Sequence, residues 1–86
     1  MTQAHKTPGA FVVLIDEPLN RIPMMRDASG KPWVDHIFRV RKEEPRGHLH
    51  VVSVDDPEVT MDGWHDDRFK TYHGPRLAEL RRAFPR

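Results

Sequence analysis

The side chains best suited to chemistry in this 86-residue chain are six histidines, thirteen carboxylates, fourteen Lys/Arg and two tryptophans. In His48-Leu49-His50, strand geometry places both imidazoles on one face, roughly 7 Å apart at Cα. They supply two of the four ligands a closed zinc site needs. A third would come from His36, His65, His73 or Asp66, and the spacing singles out none of them, so no metal ligand set is assigned and a His-based metal site stands as an alternative. On the competing reading, His48 and His50 line the solvent side of an edge strand and His36 is a partly buried, hydrogen-bonded residue.

The acidic series Asp55, Asp56, Glu58, Asp62, Asp66 and Asp67 raises calcium. Placing Asp62-Gly63 at the fifth and sixth positions of a calcium loop puts Phe69 at the twelfth, where a bidentate carboxylate is required. The series reads as a solvated acidic loop. Ser29 lies in a turn cluster and Ser53 in a strand, and neither has the glycine-flanked elbow of a hydrolase nucleophile. Glycines stand singly at 9, 30, 47, 63 and 74, which excludes glycine-rich nucleotide-binding loops. With no cysteine, disulfides, thiolate zinc sites and cysteine nucleophiles are excluded. The expectation is a protein that is not an enzyme and needs no cofactor.

The basic and aromatic residues carry more. Read as one strand, 33–41 puts Trp33, Asp35, Ile37, Arg39 and Arg41 on one face and Val34, His36, Phe38 and Val40 on the other. Arg46 follows in the next turn, Trp64 and Tyr72 lie further on, and Arg76, Arg81, Arg82 and Arg86 surround the C-terminal segment. Arg39 and Arg41 beside Trp33 would suit phosphates and an unpaired base. The same residue types also dominate protein interface centres.

Charge arbitrates between the two. Lys/Arg minus Asp/Glu is +2 over 1–50, −4 over 51–74 and +3 over 75–86, for a total of only +1, whereas nucleic-acid binders show a clear basic excess. The expected function is therefore a regulator or inhibitor acting by binding a protein partner, through Trp33, Arg39, Arg41, Arg46, Trp64, Tyr72, Arg81 and Arg82. Nucleic-acid binding by the Arg/Trp face is the alternative. Self-association through an exposed strand edge is a further reading of the partner.

The elements that must position these residues follow from periodicity. Segment 1–9 is a polar lead expected to be flexible, and 10–86 a single globular domain. The apolar run 10–15 reads as a strand buried on both faces, and 21–26 as an edge strand weakened by Pro23. The cluster 27–32 is a turn, and 33–41 and 48–54 are strands joined through Pro45 and Gly47. Segment 55–63 reads as irregular and 64–73 as weakly helical. Leu77, Leu80 and Phe84 fall at i, i+3 and i+7 and Pro85 stops the pattern, giving an amphipathic helix over 75–84.

The fold class is thus α+β: a small antiparallel meander of three or four strands with a C-terminal helix packed on it. Its expected core is Phe11, Val13, Ile15, Phe38, Val40, Val52, Leu77, Leu80 and Phe84. The longest apolar run is far below the ~20 residues of a membrane span. No membrane association and a cytoplasmic location are expected.

Overall fold

The structure, a computed structural model, describes residues 7–85. Five strands, β1 (Phe11–Leu14), β2 (Phe38–Glu44), β3 (His48–Ser53), β4 (Thr60–His65) and β5 (Phe69–Thr71), are followed by one helix, α1 (Leu77–Ala83). Single 3-10 turns at Pro18–Asn20, Trp33–Asp35, Pro45–Gly47 and Asp66–Arg68 punctuate the connections. The strands form one antiparallel sheet in the order β4-β3-β2-β1-β5. The expected α+β class and C-terminal helix are present, with five strands rather than three or four.

The connection from β4 to β5 fixes the shape of that sheet. In a flat sheet the two edge strands would lie roughly 19 Å apart, four spacings of about 4.8 Å. His65 and Phe69, which end β4 and begin β5, are separated by a stretch of chain that spans at most about 14 Å even when extended. The sheet must curl so that its two edges approach. Register shifts between Val40 and Lys42 and between Leu49 and His50 supply the bends. Gly63 inside β4 has φ 82°, a conformation that favours a residue without Cβ.

Curling separates two apolar cores. The inner face buries Val12, Leu14, Phe38, Val40, Leu49, Val51, Met61 and Phe69, joined by Met25 and Val59 from connecting segments. The outer side of β1 carries Phe11, which packs with Ile37 and Leu80 and with half-buried Val13, Val54, Tyr72, Leu77 and Phe84. α1 is seven residues long, too short to be stable alone, and it is held by this second cluster. Of the expected core, Phe11, Phe38, Val40 and Leu80 are buried, while Val13, Ile15, Val52, Leu77 and Phe84 are half-buried.

Four local expectations change. Trp33–Asp35 is a 3-10 turn and β2 begins only at Phe38, so the period-two assignment fails upstream of that point and Ile37 is buried against α1. Segment 21–26 forms no strand, only an isolated bridge between Arg26 and Pro32, in keeping with the donor that Pro23 lacks. Residues 60–65 and 69–71, expected as irregular and helical, are β4 and β5, because cross-strand pairing to β3 and β1 overrides weak local preference. β3 is not an edge strand, since β4 covers its outer side. Of the polar lead, residues 1–6 lie outside the described residues, as does Arg86; Thr7-Pro8-Gly9 is a turn whose Gly9 N–H donates to Val40 O at 2.8 Å.

Candidate interaction surfaces

The chain between β1 and β2 is long, carries few regular elements, and is pinned by buried polar groups. At its start Asn20 is fully buried, its Nδ2 donating to Ile15 O at 2.9 Å and its Oδ1 accepting from Arg68 Nη2. At its end Asp27 is the hub of a turn. Its Oδ1 accepts the Ser29 N–H (2.9 Å), the Ser29 hydroxyl (2.6 Å) and the Lys31 N–H (2.9 Å), and its Oδ2 lies 2.7 Å from His36 Nε2.

His36, 1% exposed, in turn places Nδ1 2.7 Å from Ser53 Oγ at the end of β3. The Ser53 oxygen also accepts the N–H groups of Asp55 and Asp56, each at 3.2 Å. Two amides occupy both lone pairs of that oxygen, so its proton goes to Nδ1 and the imidazole donates Nε2–H to Asp27.

Aspartate, histidine and serine thus stand in the order of a nucleophilic triad, a chain that residue spacing did not suggest. Ser53 is 4% exposed and its oxygen is capped by two amides. The arrangement fastens the loop to the β3–β4 turn. The Asp27 carboxyl is held well below the usual carboxylate range, first by the Ser29 hydroxyl, then by the His36 imidazole and the Lys31 and Ser29 amides, with burial opposing.

Just before Asn20 and between it and Asp27 the loop displays Leu19 (71% exposed), Ile22 (40%) and Met24 (77%), the large apolar side chains most exposed among the described residues. Sequence reasoning placed none of the three on a binding surface and took Ile22 and Met24 as alternating positions of an edge strand. The available signal was an apolar series broken by Pro18 and Pro23, too interrupted for a core strand and without a helical period.

Trp33 and Trp64 meet with ring centroids 6.5 Å apart and pack half-buried against the inner core. The Arg68 guanidinium lies 4.2 Å over the Trp64 ring, so a cation of the chain itself occupies that face. Arg39 and Arg41 are elsewhere. Arg39 sits 5.9 Å over the Phe84 ring in the second cluster, and both arginines line a small hollow with Val52, Ser53, Val54 and Phe84. The expected Trp33/Arg39/Arg41 platform is therefore not assembled, because the 3-10 turn at Trp33 takes that residue out of the strand's alternation.

On the other side of Phe84 a groove of about 550 Å³ runs between α1 and the start of β1 and end of β5, lined by Ala10, Phe11, Tyr72, Leu77 and Phe84 with His73 and Arg81. The Tyr72 hydroxyl accepts the Arg76 N–H at 3.1 Å, and the Arg76 side chain bonds both Asp55 oxygens (2.9 and 3.3 Å) and Glu79 (3.2 Å). That pairing holds the Asp55 carboxyl low and the Arg76 guanidinium high, and it ties α1 to the β3–β4 turn.

Of the eight expected binding residues, four (Arg39, Arg41, Tyr72 and Arg81) gather around Phe84. Trp33 and Trp64 form a separate pair. Arg46 occupies the β2–β3 turn with φ 65°, and Arg82 is exposed on α1.

No family model, curated protein or solved structure matches this chain. The surfaces must be judged by their own chemistry.

The histidines disperse. His48 faces His65 across β3 and β4 with ring centroids 5.5 Å apart, His48 Nδ1–H donates to Pro45 O (3.0 Å), and His50 Nε2–H donates to Thr60 Oγ1 (3.2 Å). Among the described residues no three His, Asp or Glu side chains converge as a metal site would require. No helix among them is long and apolar enough to cross a membrane.

Proposed function

We propose that this chain is a non-catalytic protein-interaction module that inserts Leu19, Ile22 and Met24 into an apolar site on a partner protein, regulating or inhibiting the partner by covering that site. The supporting observation is the contrast within one loop: three large apolar side chains face solvent while Asn20, Asp27 and His36 anchor their backbone from inside. Burying a large aliphatic side chain is favourable by about 1.5–3 kcal/mol, and a loop already held in place loses little further freedom on binding. Met24 adds an adaptable, polarisable contact of the kind interfaces favour. The capped Ser53 hydroxyl supports the non-catalytic part of the reading.

The test is capture from host lysate by the wild-type chain and by Leu19→Glu/Met24→Glu, with nuclease present. The wild type is expected to retain a stoichiometric protein that the variant loses, while the variant keeps its melting temperature within the range of an ordinary surface substitution. Capture that is unaffected by the substitutions, or that disappears with nuclease, refutes the proposal.

A further inference from the structure

We propose that the groove between α1 and the β1/β5 seam, together with the hollow across Phe84, is a second binding site and that its ligand is an acidic peptide segment carrying one apolar anchor residue. The site is a different surface from the Leu19/Ile22/Met24 loop and does not depend on what that loop does.

The groove of about 550 Å³ has apolar walls in Ala10, Phe11, Leu77 and Phe84, which suit a single aromatic or aliphatic side chain. Its polar rim carries Arg81 and His73 on one side of Phe84 and Arg39 and Arg41 on the other, three of them guanidinium cations. Among the described residues no carboxylate lines either hollow.

Of the described arginines only Arg21, with Asp16, and Arg76, with Asp55 and Glu79, form ion pairs. Arg68 bonds Asn20 and lies over Trp64. Arg39, Arg41 and Arg81 share the lack of an ion pair with Arg26, Arg46 and Arg82, and what sets them apart is their place around Phe84. Arg39 Nε is in addition buried without an acceptor, an uncompensated donor in a structure whose other buried polar groups are almost all satisfied. A carboxylate seated in the hollow beside Phe84 would meet the guanidinium groups of Arg39 and Arg41 that line it.

The same chemistry argues for a peptide over a nucleic acid. The tryptophans that would stack on bases lie in another cluster.

The probe is a fluorescein-labelled eight-residue peptide of Asp and Glu around a central Phe. Its binding to the full chain is followed by anisotropy, and the site is located by amide shifts in the 15N-labelled protein. Saturable binding is expected, with shifts at Ala10, Phe11, Tyr72, Leu77 and Phe84. Arg81→Gln and Arg39→Gln should each weaken it about tenfold or more, as loss of a charge-assisted hydrogen bond does, and added salt should weaken it further. Leu19→Glu/Met24→Glu should leave it unchanged, which separates this site from the loop.

Arg81 is exposed, so Arg81→Gln tests the proposal even if Arg39→Gln disturbs the fold. Equal binding of the peptide with Lys in place of the acids, shifts confined to 18–24, no binding, or tighter binding of an eight-nucleotide oligothymidylate would each overturn it.

Discussion

Replacing Ser53 by alanine is the most direct probe of the buried chain that positions the loop. The hydroxyl removed is 2.7 Å from His36 Nδ1 and accepts two amides at 3.2 Å. Its loss strands an imidazole nitrogen in a residue only 1% exposed, and a buried polar atom left without a partner costs about 1–3 kcal/mol. The Asp55 and Asp56 amides sit in a turn open to water, so their long bonds add only about 0.5–1 kcal/mol. The expected destabilisation is thus about 1.5–4 kcal/mol. For a domain of this size each kcal/mol lowers the melting temperature by about 4–8 °C, which predicts a fall of about 6–32 °C. Urea unfolding followed by the fluorescence of Trp33 and Trp64 measures the free energy, and circular dichroism measures the melting temperature. A loss below about 0.5 kcal/mol, the scale of an ordinary surface change, would show that Ser53 does not satisfy His36 and that the loop is held some other way.

Two further outcomes follow from the same geometry. The Asp27 carboxyl binds its proton more weakly folded than unfolded, so in acid the unfolded state takes up more protons. Its stabilisation is complete above the unfolded value of 3.8 and is lost as pH falls below that towards the folded value. Asp27→Asn should flatten the decline of urea stability between about pH 4 and pH 2, and an unchanged slope would contradict this assignment. At Gly74 a Cβ would lie 2.3 Å from Tyr72 Oη, so Gly74→Ala must displace the tyrosine ring from the groove. A loss of about 1–3 kcal/mol is expected, with tyrosine ring shifts in the NMR spectrum, and a variant as stable as wild type with an unmoved ring would rule it out.

Much of the frame was legible in the sequence because it rests on local periodicity. Leu77, Leu80 and Phe84 give α1 through helical spacing, and period two gives 48–54 as a strand, although the expected core took Val52 from it whereas Leu49, Val51 and Ser53 are the residues that face inward. What the sequence hides is whatever depends on distant partners. β5 is three residues long and is a strand only because Val12, Val13 and Leu14 pair with it. β4 is interrupted by Gly63, whose positive φ looks like a hairpin turn until its pairing to β3 is known. Trp33 defeats the alternation argument because one 3-10 turn changes the phase. The Asp27–His36–Ser53 chain joins three separate segments, and no spacing rule connects them. The eight expected binding residues were chosen by type, so the loop apolar residues, which matter through exposure rather than type, were missed.

The short turn that brings β4 round to β5 also sets an order of assembly. β2, β3 and β4 are sequential neighbours that pair across short connections, contacts that form early because little chain entropy is lost. β1 meets β5 only when Val12 reaches Thr71, across most of the described chain. During synthesis Phe11–Leu14 therefore emerges first and keeps one strand edge unpaired until β5 has been made, an interval in which an apolar edge is open to other chains. α1 docks on the side of that same seam and completes the groove last. A ligand held there would bind only chains whose first and last strands have met, and by mass action it would select the finished fold.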